Sequence, residues 1–222
     1  MMKRVLGMMV IFTVVFAAGM ASADTVSLKY VGVSDPTDVT IYVPGTGSVG
    51  TQAGGYTIQY PDLTGTQNYT AYCAEPQGIS TGTTAAYDLQ PIAEGSGYEA
   101  AAWIISQGYT GAMAAAAQIA VWELTWDYQI GNAYSLTADV FRLISPDPLA
   151  SPTPSLVTNA STIYQAALAG MGAGFDQSGY SLAMNAANQD FVVPNPVPIP
   201  AAVWLLGSGL LGLVAFRRRM KK

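Results

Sequence analysis

Ala112 to Asp127 reads AMAAAAQIAVWELTWD, and the fold class turns on it. Alanine is the strongest helix former, and no Gly or Pro interrupts the run. Ile119, Trp122 and Trp126 recur at i, i+3 and i+7, which puts them on one helical face. The spacing predicts a helix over 112–127. Just upstream, Tyr98 to Gln107 (YEAAAWIISQ) predicts another, opening after Gly95-Ser96-Gly97 and stopping at Gly108. Downstream, a Pro-rich loop from Pro146 to Pro154 leads into a third, from about Ser155 to Ala169.

Working outward, the flanks change period. Val26, Leu28 and Tyr30 alternate with polar residues, as do Val39, Ile41 and Val43, so both runs read as strands. Between them Gly32 and Ser34-Asp35-Pro36 read as a turn, and Gly45 to Gly55 as a Gly-rich loop. Tyr56 to Tyr60 and Asn68 to Cys73 predict further strands, as do Tyr180 to Met184 and Asp190 to Val193. No internal repeat is evident. Strands on both sides of a helical centre predict an α+β fold: a β-sheet subdomain with a three-helix subdomain.

The two termini read as targeting segments. Lys3 and Arg4 precede an apolar run from Val5 to Met20, and Ala21 and Ala23 supply the small residues of a cleavage site. Residues 1–23 thus read as a signal peptide, cut before Asp24. At the other end residues 194–200 form a Pro-rich linker. Residues 201–216 (AAVWLLGSGLLGLVAF) carry no charge and read as a transmembrane helix, short of the roughly 20 residues of a full span. Residues 217–222 (RRRMKK) form a basic stop, held cytoplasmic by the positive-inside rule.

Val197-Pro198-Ile199-Pro200-Ala201, then the apolar helix, then Arg217, Arg218 and Arg219, resembles the PEP-CTERM sorting signal in its VPLPA form. The resemblance implies recognition by an exosortase-type transpeptidase of a Gram-negative bacterium. It also implies transient anchoring in the inner membrane and transfer of the body to the cell surface or extracellular matrix.

Between the termini, residues 24–193 make one extracellular domain, long enough for a real core. Its only bases up to Pro200 are Lys29 and Arg142, against 14 acids, for a net charge of −12. With so little positive charge there is nothing to neutralise phosphate, so nucleic acid is not expected as a partner. The chain has no histidine and one cysteine. That excludes a Ser-His-Asp triad, imidazole metal ligands, Cys-cluster sites and an internal disulfide. No metal site and no cofactor are expected.

One pair of short stretches carries chemistry. Tyr72-Cys73-Ala74-Glu75-Pro76 ends a predicted strand, and Gln118-Ile119-Ala120-Val121-Trp122 lies inside the predicted helix, 45 residues on from Cys73 to Gln118. A thiolate can attack a glutamine side-chain carbonyl and expel ammonia, leaving an internal thioester. The fold must hold sulfur against carbonyl and keep water out; Tyr72, Trp103 and Trp122 are the candidate walls. The pair resembles the thioester domains of bacterial surface adhesins, which combine an aromatic-Cys motif with a Thr-Gln-x-Ala motif followed by Trp. Ala117 stands here where that family has Thr, and Ala74 is smaller than its usual hydrophobe. The resemblance implies that Cys73 supplies the sulfur and Gln118 the acyl group. It also implies that the product captures a nucleophile on a surface or matrix partner.

Other readings remain open at this level. Cys73 can be a buried small hydrophobe and Gln118 a surface residue, in which case the body is a non-reactive matrix protein. Glu123 and Asp127, four apart beside Trp122 and Trp126, suggest a sugar-binding face or an acid pair, although a solvated helix face is the expected role. The sequons at Asn68 and Asn159 carry no weight in a bacterial chain.

Overall fold

A computed structural model describes residues 24–43, 45–75, 80–128, 131, 133–138, 140–144 and 154–196. The signal segment with Ala21 and Ala23, the sorting motif from Val197 to Ala201, the apolar helix, the basic stop and most of the Pro-rich loop lie outside these residues. Among the described residues, no helix is long and apolar enough to cross a membrane.

The chain is α+β, with helices set against an antiparallel sheet. The alternating residues from Val26 onward form one strand, β1 (Asp24–Val43), where two separated by a turn are expected. Its partner β2 (Gly47–Gln59) takes in nearly all of the stretch expected to be a loop. What reads as a turn is a bulge: the β1–β2 register shifts between Tyr30 and Gly32 and again between Ser34 and Thr37. Pro36 sits in the second shift, where no ladder hydrogen bond is required of it. Asp35 takes φ 52° there, a left-handed conformation that Asp tolerates. Glycines and polar residues stay extended because the facing strand satisfies their backbone groups.

A one-turn helix α1 (Pro61–Thr64) leads to β3 (Tyr69–Cys73), and then comes β4 (Thr84–Pro91), a strand not anticipated from the sequence. Helices α2 (Gly97–Ser106) and α3 (Ala112–Trp126) follow, then a short β5 (Arg142–Ile144) and α4 (Pro154–Gly172). Strands β6 (Tyr180–Met184) and β7 (Phe191–Pro194) end the fold. The strand order is β2-β3-β7-β6-β4-β1-β5, and β1 also pairs with β2. Six strands therefore close into a ring. β1 makes this closure by pairing with β4 over residues 24–29 and with β2 from Lys29 onward.

Register decides which side chains face the inside of that ring. Cys73 lies opposite Phe191, Tyr56 opposite Ala71, Val26 opposite Tyr87, and Phe191 opposite Ala183. Directly opposed residues share a face, so these form one buried set. The Phe191 ring gathers Tyr30, Tyr56 and Tyr87 at centroid distances of 6.4, 5.6 and 6.1 Å. On the outer face Tyr72 and Val192, also opposed and buried, are covered where α2 packs across β3 and β7.

Helices α2, α3 and α4 pack on one another. Ser96 caps α2 by accepting the Glu99 backbone N–H, and the Glu99 carboxylate accepts the Gly95 N–H. Gly170 lets α4 approach α2. A Cβ there would lie 2.1 Å from Trp103 Nε1. Gly170→Val should therefore cost about 1–3 kcal/mol through overpacking. A lowered urea midpoint is expected, and an unchanged one would mean that the indole is free to swing aside.

Candidate functional site

Cys73 is the last residue of β3, and its backbone sits at a gap in the sheet. The Ala74 N–H bonds Asp190 O at 2.9 Å on the β7 side. By strand alternation, the N–H and C=O of Cys73 must then point the other way, toward β2. The β2–β3 ladder, however, ends at Tyr56 opposite Ala71. The residue that would face Cys73 in that register, Gly54, is drawn off against β1, where a Cβ on it would run into Val33 and the Ser34 carbonyl. Without a substitute, two buried backbone groups of Cys73 would lack partners.

Gln118 of α3 supplies both. The Cys73 N–H donates to Gln118 Oε1 at 2.9 Å, and Gln118 Nε2 donates to Cys73 O at 2.9 Å. The carboxamide thus stands in for the missing strand residue. Both residues have no exposed surface, so Gln118 is not the surface helix residue of the non-reactive reading. One step along, the Ala74 carbonyl accepts the Thr125 hydroxyl at 2.9 Å and the Trp126 indole N–H at 3.0 Å. Positions 118, 122 and 125 fall on one stripe of the helix, so α3 is pinned along the end of β3. Alanines at 114–117 and 120, all buried, allow the close approach.

The thiol itself donates to Glu75 O at 2.7 Å. Burial pushes its pKa well above the ordinary range. The Trp122 indole and the Glu75 carbonyl oppose that shift, while negative charge on Glu75 and Asp190 adds to it. The thiol is neutral in this state. Cys73 lies opposite Phe191, whose ring meets Tyr30, Tyr56 and Tyr87, so its side chain joins the aromatic set inside the strand ring.

Of the expected walls, Trp122 is fully enclosed on the helix stripe facing Cys73 and Ala74. Tyr72 is buried but belongs to the opposite face of β3; burial, and after it the neighbouring Tyr109, pushes its hydroxyl pKa up. Trp103 packs on Gly170 of α4. Thr125, Trp126 and Phe141, none expected here, complete the surroundings; Phe141 lies 5.9 Å from the Trp122 ring.

Glu123 and Asp127 overturn their expected role on a solvated face. Neither has exposed surface. Glu123 Oε1 accepts the Ser135 N–H at 2.6 Å, and the two Asp127 oxygens accept the Val140 and Phe141 N–H groups at 2.9 and 2.8 Å. These carboxylates hold the segment after α3 in place, which sets Phe141 against Trp122. A solvated face is ruled out because irregular backbone buried against the helix needs acceptors.

Beside the site a cleft of about 410 Å³ is lined by Glu75, Asp88, Gln90, Met184, Asn185, Ala186 and Asp190. Among the described residues, no group of three or more acids or thiols is placed to hold a metal ion. No protein-family model, curated protein or solved structure matches this chain.

Gln118→Ala leaves the Cys73 N–H and C=O buried without partners, at about 1–3 kcal/mol each. Chemical denaturation should show a loss of several kcal/mol. A loss below about 1 kcal/mol would mean that water replaces the amide.

The pKa of Asp190 is raised from the ordinary carboxylate value, chiefly by burial and further by Glu75, against the Asn185 N–H bond that lowers it. With the folded value above the unfolded one, the stabilisation is complete below the unfolded value. It is lost as pH rises through the folded value. Asp190→Asn, neutral throughout and able to keep the Asn185 contact, should gain on wild type in thermal melts as pH rises from about 4. A difference independent of pH would contradict this.

Proposed function

We propose that this chain is an exported, single-use covalent capture module, in which Cys73 and Gln118 form an internal thioester that a nucleophile on a surface or matrix partner opens. The observation that carries this reading is the two-point docking of the Gln118 carboxamide on the Cys73 backbone inside a closed site. On this reading 1–23 direct export, and 194–222 provide the sorting motif, temporary anchor and stop for an exosortase-type transpeptidase. Residues 24–193 form the delivered body, with α2, α3 and α4 as a three-helix subdomain beside the strand ring.

The docking supports the chemistry in three ways. First, it fixes the acyl carbon next to the residue that bears the nucleophile, removing most of the orientational cost. Second, the Cys73 N–H is already aimed at Gln118 Oε1, the oxygen that gains negative charge when sulfur adds to Cδ. Third, the site is closed to solvent, which slows hydrolysis of the product. To react, the thiol leaves Glu75 O and turns about χ1 toward Cδ. The S–Cδ bond forms, the Cδ–Nε2 bond breaks, and Nε2 departs as ammonia with the thiol proton. Capture then joins the partner's nucleophile to Cδ and returns the proton to sulfur. The bond is used once, so the protein is not a turnover enzyme.

One observation favours a second reading, a non-reactive matrix protein. The thiol is neutral and already bonded to a carbonyl, and the Gln118 amide satisfies backbone groups that need partners anyway. A carbohydrate-binding role has less support, because Trp122, Glu123 and Asp127 offer no exposed surface.

Intact mass separates the first two. The secreted body should weigh about 17 Da less than its sequence mass, the ammonia lost on acylating the thiol. Cys73→Ala should restore full mass. Full mass in the wild type, together with a cysteine that alkylates on unfolding, would leave the matrix reading standing.

A further inference from the structure

Trp122 lies one helical turn beyond Gln118 and one turn before Thr125. Gln118 is bonded to Cys73 and Thr125 to Ala74. A side chain between those two anchors on the same stripe must lie over the Cys73–Ala74 peptide. Trp122 has no exposed surface, and its Nε1 is a buried donor with no hydrogen-bond partner among the described residues. Buried indole N–H groups normally find an acceptor. Leaving one unmet costs stability in this state, and any state of the molecule that supplies an acceptor is favoured by that amount. Such an acceptor is at hand, because the nearby sulfur gains negative charge only while the S–Cδ bond forms or breaks. The pull of the indole on the Cys73 thiol toward the charged form agrees with this placement.

We propose that the Trp122 indole N–H is the donor that stabilises the Cys73 sulfur as a thiolate, both as nucleophile when the thioester closes and as leaving group when a partner opens it. This rests on the capture reading above. Nothing is consumed at Trp122. Its proton stays on nitrogen while the thiol proton leaves with ammonia on closing and is restored from the attacking amine on opening. Phe141, held by Asp127, backs the indole and limits its rotation. A neutral thiol in a dry site is a poor nucleophile, and a waiting donor lowers that barrier without requiring water.

The test uses the full secreted body with Trp122→Phe and, as an isostere that keeps the two-ring shape, site-specific replacement of Trp122 by benzothienylalanine, which lacks the N–H. Thioester content is followed by intact mass, and its opening is timed with methylamine and in buffer alone. Loss of the donor should slow closing, aminolysis and hydrolysis together, each about tenfold or more, as for removal of a hydrogen bond to a charged group. Loosened packing would act in the opposite sense, admitting water and hastening hydrolysis. Unchanged or faster opening in the isostere, with an unchanged melting temperature, overturns the role of Trp122 and leaves the thioester intact as a conclusion. If Trp122→Phe does not fold, the isostere decides alone. A wild type at full sequence mass overturns both proposals.

Discussion

The fold depends on a gap in its own sheet. Strand β2 serves two partners that part company, because its first half follows the long arm of β1 and only Tyr56 to Ile58 pair with β3. That divergence strips Cys73 of its partner on one side, in a place water does not reach. The Gln118 amide carries an acceptor oxygen and a donor nitrogen on one carbon, as the strand edge requires. No apolar residue could fill the gap without leaving two buried backbone groups unmet. The position of α3 follows from this pairing. Thr125 and Trp126 extend it by a further residue, and the alanine run keeps the helix close enough to reach.

A helix so placed cannot be amphipathic in the ordinary way. Residues 114–125 of α3 are buried all round, against strands on one side and against α2, α4 and the segment after the helix on the others. That explains the presence of Glu123 within it and of Asp127 at its C-cap. The chain leaving the helix runs without regular structure before β5, and N–H groups at Ser135, Val140 and Phe141 take these carboxylates as acceptors. Each carboxylate accepts backbone N–H groups, so its desolvation is met by charge-assisted bonds. The same carboxylates press Phe141 on Trp122. The acid pair and the Cys–Gln pair thus serve one enclosure, from the C-terminal end and the middle of one helix.

This also accounts for what could be read from the sequence. The alanine-rich helix, its neighbour from residue 97 and the strands from Tyr180 and Phe191 were legible, because periodicity and stop signals coincide there. Strand β4 was not. Ala85, Tyr87 and Leu89 do alternate, but Ala86 between them is also apolar and blurs the period. The Gly45–Gly55 stretch read as a loop because its extended form comes from pairing with β1, a long-range effect that local propensity does not carry. Cys73 and Gln118 stood out by residue type. Their bonds depend on β2 leaving the ladder, which no local pattern announces. Likewise Glu123 and Asp127 look solvated on a helical projection, since burial from a later segment leaves no mark on the helix's own sequence.

The two bonds of Gln118 bear unequally on the proposed reaction. The Cys73 N–H bond to Oε1 survives acylation and strengthens as the oxygen gains charge. The Nε2 bond to Cys73 O does not, because its donor leaves as ammonia. Closing a thioester here therefore leaves a buried carbonyl without a donor, at about 1–3 kcal/mol. A free carboxylate produced by hydrolysis would instead set negative charge against that carbonyl. The arrangement thus favours the unreacted amide in the ground state and disfavours the hydrolysed one. A thioester formed in it would be held by the absence of water and by the barrier to opening. Its persistence would be kinetic, and the packing of Trp122, Phe141 and the rings within the strand ring would set how long it lasts.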